Sequence, residues 1–221
     1  TLDSCRYDTF EAAQTPNIRA VGPLYRAMAP SYFTFGSHSA MFVGFTPGDA
    51  TRRESIVNPK FGKMVRLQGG GTRSRGNDRF LLSGRDIIDG FNRIGYLTAG
   101  TGAVRWFDDS TETSRHLISN FRYFRYAGNM WSLRRQVEWM SSIVGEADRP
   151  VFAFINVGET HQPYWHEGAG WSREESPCRP FDPANNEAES RRRQRACLEF
   201  ADGVLAPVLR AFANANIMVC G

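Results

Sequence analysis

No apolar run in the sequence approaches the roughly 18 to 20 residues that cross a bilayer, and no basic-then-apolar leader stands ahead of the first motif. The chain therefore reads as soluble, with the compartment open and the cytoplasm favoured. Cysteine is sparse: Cys5, Cys178, Cys197 and Cys220 lie far apart and never in Cys-x-x-Cys spacing, so neither a zinc ribbon nor a disulfide scaffold is indicated. The glycine-rich stretch QGGGTRSRGN at 68–77 lacks a following Gly-Lys-Ser/Thr and is not a Gly-x-Gly-x-x-Gly, so it reads as a surface loop, not a phosphate loop. No Gly-x-Ser-x-Gly surrounds Ser37 or Ser39, which excludes an esterase nucleophile elbow. His161 and His166 stand five apart with Pro163 between them, a poor fit to the His-Glu-x-x-His helix of a zinc protease. There is no internal repeat and no low-complexity tract.

What remains is a chain of 221 residues, 41% hydrophobic, long enough to bury the core of one α/β domain over residues 1–221. Apolar, β-prone runs occur at Thr1-Leu2, YLTAG (96–100), VFAFINV (151–157) and NIMVC (216–220), and helical patterns alternate with them. Strands alternating with helices imply a mainly parallel sheet covered on both faces. In GRDIIDGFNRIG, Ile87, Ile88, Phe91 and Ile94 share one helical face, and Gly95 is placed as the residue that ends the helix. The formal charge is +4 and its densest basic cluster is RRRQR at 191–195. Leu198, Ala201, Leu205, Val208 and Phe212 follow at helical spacing, so those arginines, preceded by Glu187 and Glu189, read as the solvated face of a helix. Nucleic acid is not an expected partner.

The stretch YFTFGSHSAMFVGFTPG at 32–48 is mostly apolar yet carries Thr34, Gly36, Ser37 and His38 where a helix of about two turns, near Ser37 to Phe45, should begin. Thr34 and Ser37 can each be a helix cap. The same position gives a hydroxyl the positive end of the helix dipole and unpaired N–H donors, which stabilise an alkoxide or a bound oxyanion. Activation by a cation needs a carboxylate, and Asp3 directly follows the Thr1-Leu2 strand, at the carboxyl end where parallel sheets present functional groups.

Four stretches, in order, resemble the alkaline phosphatase and sulfatase superfamily. LDSCRYD is similar to its opening Asp-x-x-Arg metal motif, and TFGSH with SAMFVGFTPG to its nucleophile segment. GYLTAGTG is similar to its Gly-Tyr-x-Thr strand, and FAFINVGETHQPY to its apolar strand ending in His-x-Pro-Tyr. The resemblance implies a three-layer α/β/α sandwich with Thr34 as nucleophile and metal ligand, Asp3 as metal ligand, and His161 against the transferred group. It also implies Arg6 as a catalytic-site arginine, Ser37 and His38 as substrate contacts, and Glu159 as a further metal ligand. Because no cysteine stands at Thr34, the formylglycine of ordinary sulfatases cannot form. Gly36 replaces a proline of the family, and Ala103 stands where many sulfatases carry lysine, with Arg105 as substitute. The expected activity is metal-dependent hydrolysis or transfer at a phosphoester, phosphodiester or phosphonate. Alternatives are a sulfatase, a phospho-headgroup transferase and a catalytically degenerate binding module. The implied cofactor is a divalent cation (zinc, manganese, magnesium or calcium), and the implied partner is a small anionic ester. Only Thr1 and Leu2 precede Asp3, and NIMVCG lacks the Asp-His-Gly that follows this strand in the family, so a partial chain with an incomplete metal site is expected, one that by itself binds metal weakly and shows little or no turnover.

Overall fold

A computed structural model describes residues 1–31, 33–44, 64–66, 79–81 and 86–221. The glycine-rich stretch at 68–77 lies outside them, as do Tyr32 and the 45–48 end of the opening motif. In chain order the elements are α1 (Tyr7–Ala12), α2 (Pro16–Arg19), α3 (Thr34–Val43), β1 (Met64–Arg66), β2 (Arg79–Leu81), α4 (Ile87–Arg93) and β3 (Leu97–Gly102). A 3₁₀ turn at Arg105–Phe107 follows, then α5 (Glu112–Ile118), β4 (Tyr123–Tyr126), α6 (Leu133–Glu146), β5 (Val151–Asn156) and α7 (Glu187–Ala211). β1 and β2 form an antiparallel pair, and the larger sheet is parallel in the order β4-β3-β5.

β3 and β5 pair over their whole length, from Leu97 opposite Val151 to Gly102 opposite Asn156. Leu2 continues this sheet through a parallel bridge to Val157, and its N–H donates to the Cys220 carbonyl at 2.7 Å. The chain NIMVC, expected as a strand, thus runs beside the sheet without becoming one, because that bond to Leu2 is not a repeating ladder. β4 has no counterpart among the expected strands; its exposed Tyr123 and Arg125 alternate with inward Phe124 and Tyr126.

Side chains of period two divide β5 between two cores. Phe152 and Phe154 join Phe35 and Phe42 of α3, Ile88 of α4, Trp106 and Phe107. Ala153 and Ile155 join Leu133, Val137 and Met140 of α6 with Leu198, Ala201, Leu205 and Val208 of α7. Helices therefore cover both faces, which is the expected three-layer α/β/α arrangement. The first core holds so many rings that β3 must be thin beneath it: a Cβ at Gly102 would lie 2.3 Å from Phe107 Cγ, and one at Gly100 would lie 2.7 Å from Phe124 Cδ2.

Two expected faces are corrected. In α4, Ile88 is fully buried and Phe91 stacks on Phe152 at 4.6 Å, but Ile87 and Ile94 are exposed. The helix is seven residues long and meets the sheet along a stripe narrower than the apolar pattern. Gly95, with φ of 89°, ends it as expected. In α7, Arg191 and Arg192 do pair with Glu187 and Glu189 in solvent, whereas Arg193 is buried. Its guanidinium donates to Glu189 Oε1 and to the Glu175 carbonyl, each at 2.7 Å, and lies over Trp171, stapling the 158–186 connection to the helix.

Steric fit at β3 gives a paired test. Gly102→Ala should lower stability by about 1–3 kcal/mol or more, because Phe107 is fully buried and has nowhere to move. Gly90→Ala, on the exposed side of α4 with nothing within 4 Å of the new methyl, should raise stability by roughly 0.5–1 kcal/mol. Chemical denaturation of the two variants checks both signs.

Candidate active site

Three segments converge beyond the carboxyl ends of β3 and β5. Residues 1–3 arrive as the short strand beside β5: Val157 N–H donates to the Thr1 carbonyl at 2.8 Å, and Asp3 N–H donates to the Val157 carbonyl at 2.9 Å. That pairing delivers the Asp3 carboxylate, buried, to the strand end. The second segment is α3, which starts at Thr34, three residues ahead of the expected Ser37, with Phe33 in extended geometry as its cap residue and no capping side chain. Thr34 Oγ1 stands 3.3 Å and 3.2 Å from the two oxygens of Asp3. The third is the turn after β5, where Thr160 Oγ1 donates to the Asp3 carbonyl at 2.7 Å.

The carboxylate is held from other sides too. Ser4 Oγ donates to Oδ1 at 3.2 Å, and Asn156 Nδ2, from the last residue of β5, donates to Oδ2 at 3.1 Å. His38, one helical turn past Thr34, is buried against Phe42, Phe107 and Phe154, whose rings it meets edge-on. Its Nδ1 lies 2.7 Å from the Thr34 carbonyl, so that nitrogen carries the proton, and Nε2, 3.0 Å from Thr1 Oγ1, accepts from the hydroxyl. Burial drives its pKa down to about 4, against the raising effect of the Thr34 carbonyl. His38 is thus a neutral strut tying the start of α3 to the start of the chain.

No protein-family model matches the chain and no curated sequence matches it. Among solved structures, a protein in the alkaline phosphatase superfamily from Vibrio parahaemolyticus superposes with a TM-score of 0.50 at 14% identity, covering 97% of this chain. The fold is that of the alkaline phosphatase superfamily. This chain spans 49% of the length of that Vibrio protein.

Within this alkaline phosphatase-like fold the remaining expected residues sit as follows. His161 is half-buried in the turn directly after Thr160, with Nδ1 2.8 Å from the Gln162 carbonyl oxygen. Ser37 donates to the Ser31 carbonyl at 3.0 Å, bracing the chain before α3 and capping nothing. Arg105 is exposed in the 3₁₀ turn after β3. Arg6 is exposed and forked onto Asp8 at 2.9 and 2.8 Å, and its guanidinium holds the Asp8 carboxyl down at about 2. Glu159 is fully buried with Oε1 accepting the Leu133 N–H at 2.9 Å, at the N-terminus of α6; burial pushes its carboxyl up to about 7, against the lowering effect of the Leu133 amide. Among the described residues, no hydrogen bond joins Ser37, Arg6, Arg105, His161 or Glu159 to Asp3 or Thr34.

As a cation site, Asp3 and Thr34 offer the hard oxygen donors that zinc, magnesium, manganese or calcium accept. Among the described residues there is no group of three or more His, Cys, Asp or Glu able to hold a metal. The donors present fit in kind and fall short in number. Sequence reading passed over Asn156 and Thr160, which sit inside VFAFINVGETH and lend themselves to a strand and a turn; only the convergence with residues 1–3 brings their side chains to Asp3.

His38 and Glu159 make acid stability informative. His38 has a folded pKa near 4, below its ordinary value of about 6.5, so its contribution is complete above about pH 6.5 and is lost as pH falls toward 4. Glu159, raised to about 7, acts oppositely: it favours the fold below about 4.5 and that benefit is lost as pH rises through 7. Replacing His38 by Phe should therefore flatten the acid limb of a urea-unfolding series from pH 7 to 4.5 by an amount on the order of 2–3 kcal/mol, while the Glu159-driven limb persists. An unchanged acid limb in His38→Phe would refute the buried neutral imidazole.

Proposed function

We propose that this chain carries the nucleophile half of a phosphoric-ester hydrolase or transferase, with Thr34 attacking a small anionic phosphomonoester, diester or phosphonate. The observation that carries the reading is the Thr34 hydroxyl held 3.2–3.3 Å from the Asp3 carboxylate at the carboxyl end of a parallel sheet. The hydroxyl sits in the first turn of a ten-residue helix that no side chain caps, so the helix dipole favours negative charge developing there. Asp3 and Thr34 would hold a divalent cation, which when bound supplies charge neutralisation and makes the hydroxyl more acidic. In the attack, a bond forms from Thr34 Oγ1 to phosphorus, the hydroxyl proton leaves toward Asp3, and the ester oxygen departs to take up a proton as the alcohol. Water, or an acceptor alcohol in a transferase, then displaces the threonine oxygen and restores the hydroxyl. His161, in the turn anchored to Asp3 by Thr160, is in this reading the group facing the leaving oxygen, and Arg105 the exposed cation that attracts the anion.

In a chain supplied with the missing metal ligands, Thr34→Ala should stay folded and lose about three orders of magnitude or more in kcat against p-nitrophenyl phosphate, bis(p-nitrophenyl) phosphate or a phenylphosphonate ester, assayed with millimolar zinc or manganese. Turnover in Thr34→Ala close to that of the parent chain would end the nucleophile role. The same panel with p-nitrophenyl sulfate compares phosphate with sulfate chemistry.

A second reading, a domain that binds an anionic ester without turning it over, is favoured by the short donor set around Asp3. Calorimetric titration with manganese or zinc addresses it. Two oxygen donors should give dissociation constants of about 0.1 mM or weaker, and Asp3→Asn should remove the heat. Tight stoichiometric binding would show that the donor count is wrong.

A further inference from the structure

We infer that Asn156 is a positioning residue of this site: its carboxamide fixes the Asp3 carboxylate and, through it, aims the Thr34 hydroxyl. The kinetic consequence rests on the Thr34 reading above; the geometry does not.

Asn156 is the last residue of β5 and is fully buried. Its Oδ1 faces two backbone donors, the N–H groups of Ala103 and Val104 at 3.3 and 3.4 Å, in the turn after β3. An amide nitrogen in that place would meet only donors, so the oxygen belongs there and the NH₂ points the other way. That NH₂ is 3.1 Å from Asp3 Oδ2 and 3.4 Å from Thr1 Oγ1. The main chain at the same residue is fixed as well: Asn156 pairs opposite Gly102, and its carbonyl accepts from Gln136 Nε2 at 3.0 Å.

One immobile amide therefore spans the ends of two strands and donates to one oxygen of Asp3. That same oxygen also accepts from Thr34 Oγ1 at 3.2 Å. With one lone pair committed to a fixed donor, the carboxylate plane cannot turn, and its other lone pairs stay directed at Ser4 and Thr34. An apolar residue at 156 would leave the Ala103 and Val104 N–H groups without this partner in the interior and Asp3 Oδ2 with Thr34 as its remaining donor. An ionised acid would keep the first two but could donate nothing to Asp3. Partners of this kind, one step removed from the reacting group, are worth about 10–100-fold in activity or metal affinity.

The experiment uses Asn156→Asp, which keeps the shape and the acceptor for Ala103 and Val104, beside the shorter Asn156→Ser. If Asn156→Ser fails to fold, the isosteric variant carries the test. In metal-free crystals at pH 8, either variant should show the Asp3 carboxylate turned beyond hydrogen-bond reach of Thr34 Oγ1. An Asp3–Thr34 separation unchanged at pH 8 overturns the inference. With bis(p-nitrophenyl) phosphate and millimolar manganese, in a chain supplied with the missing metal ligands, both variants should lose about 10–100-fold in kcat with KM little altered. A kcat unchanged in both variants, or a loss confined to KM, also overturns it. If a chain supplied with the missing metal ligands turns over no ester in the panel, the proposed function fails, while the crystallographic distances still decide the role of Asn156.

Discussion

The parallel pairing of β3 with β5 is the constraint on which the rest of the structure depends. Both strands are covered on both faces, so every inward residue must satisfy one of two separate cores, and the alternation along VFAFIN allots Phe152 and Phe154 to one and Ala153 and Ile155 to the other. A one-residue slip would exchange the two sets and drive rings into the space filled by α6 and α7. The register is fixed further by steric thinness at Gly100 and Gly102, which admit Phe107, Phe121 and Phe124 where any Cβ would collide. With the register fixed, the strand ends are fixed, and the polar residues that follow each strand meet in one place.

That meeting place solves a physical problem as well as presenting chemistry. A buried carboxylate is costly unless its oxygens accept hydrogen bonds. Asp3 receives them from Asn156, Ser4 and Thr34, and its backbone is tied to Val157 and Thr160. Similar economy recurs where polar groups cap helices across the interior. Asp202 of α7 accepts from the Asn17 and Ile18 amides at the start of α2, and Glu159 accepts from Leu133 at the start of α6. The N-cap residue of α3, like that of α1, contributes no capping side chain, and α3 is the helix whose first residue, Thr34, faces the carboxylate.

Parts of this were legible from local pattern. The β3 and β5 runs, the α7 stripe of Leu198, Ala201, Leu205 and Val208, and the end of α4 at Gly95 all follow from periodicity and glycine conformation, which act over a few residues. Where pattern misled, the reason is packing. Ile87 and Ile94 carry the right spacing and still face solvent, because the contact stripe of a seven-residue helix is narrower than its apolar arc. Arg193 carries the wrong polarity and is buried, because the 158–175 segment brings backbone carbonyls and Trp171 to it. His38 and Ser37 stand near Thr34 in sequence, yet a helix turns consecutive residues to different sides: Ser37 points at the Ser31 carbonyl, and His38 at the Thr34 carbonyl and the Thr1 hydroxyl.

The sequence by itself determined the class of fold, two strands buried on both faces, a helix opening near Ser37 and a carboxylate at a strand end, since each depends on neighbours within a few positions. Only the tertiary structure decided which of those groups meet. It set Thr34 against Asp3 across thirty-one positions and Asn156 against Asp3 across one hundred and fifty-three, and it sent Arg6 to Asp8 and Glu159 to α6 instead. The physical reason is that hydrogen bonds reach about 3 Å, while the register that brings distant chain segments within that reach is a property of the whole packed sheet.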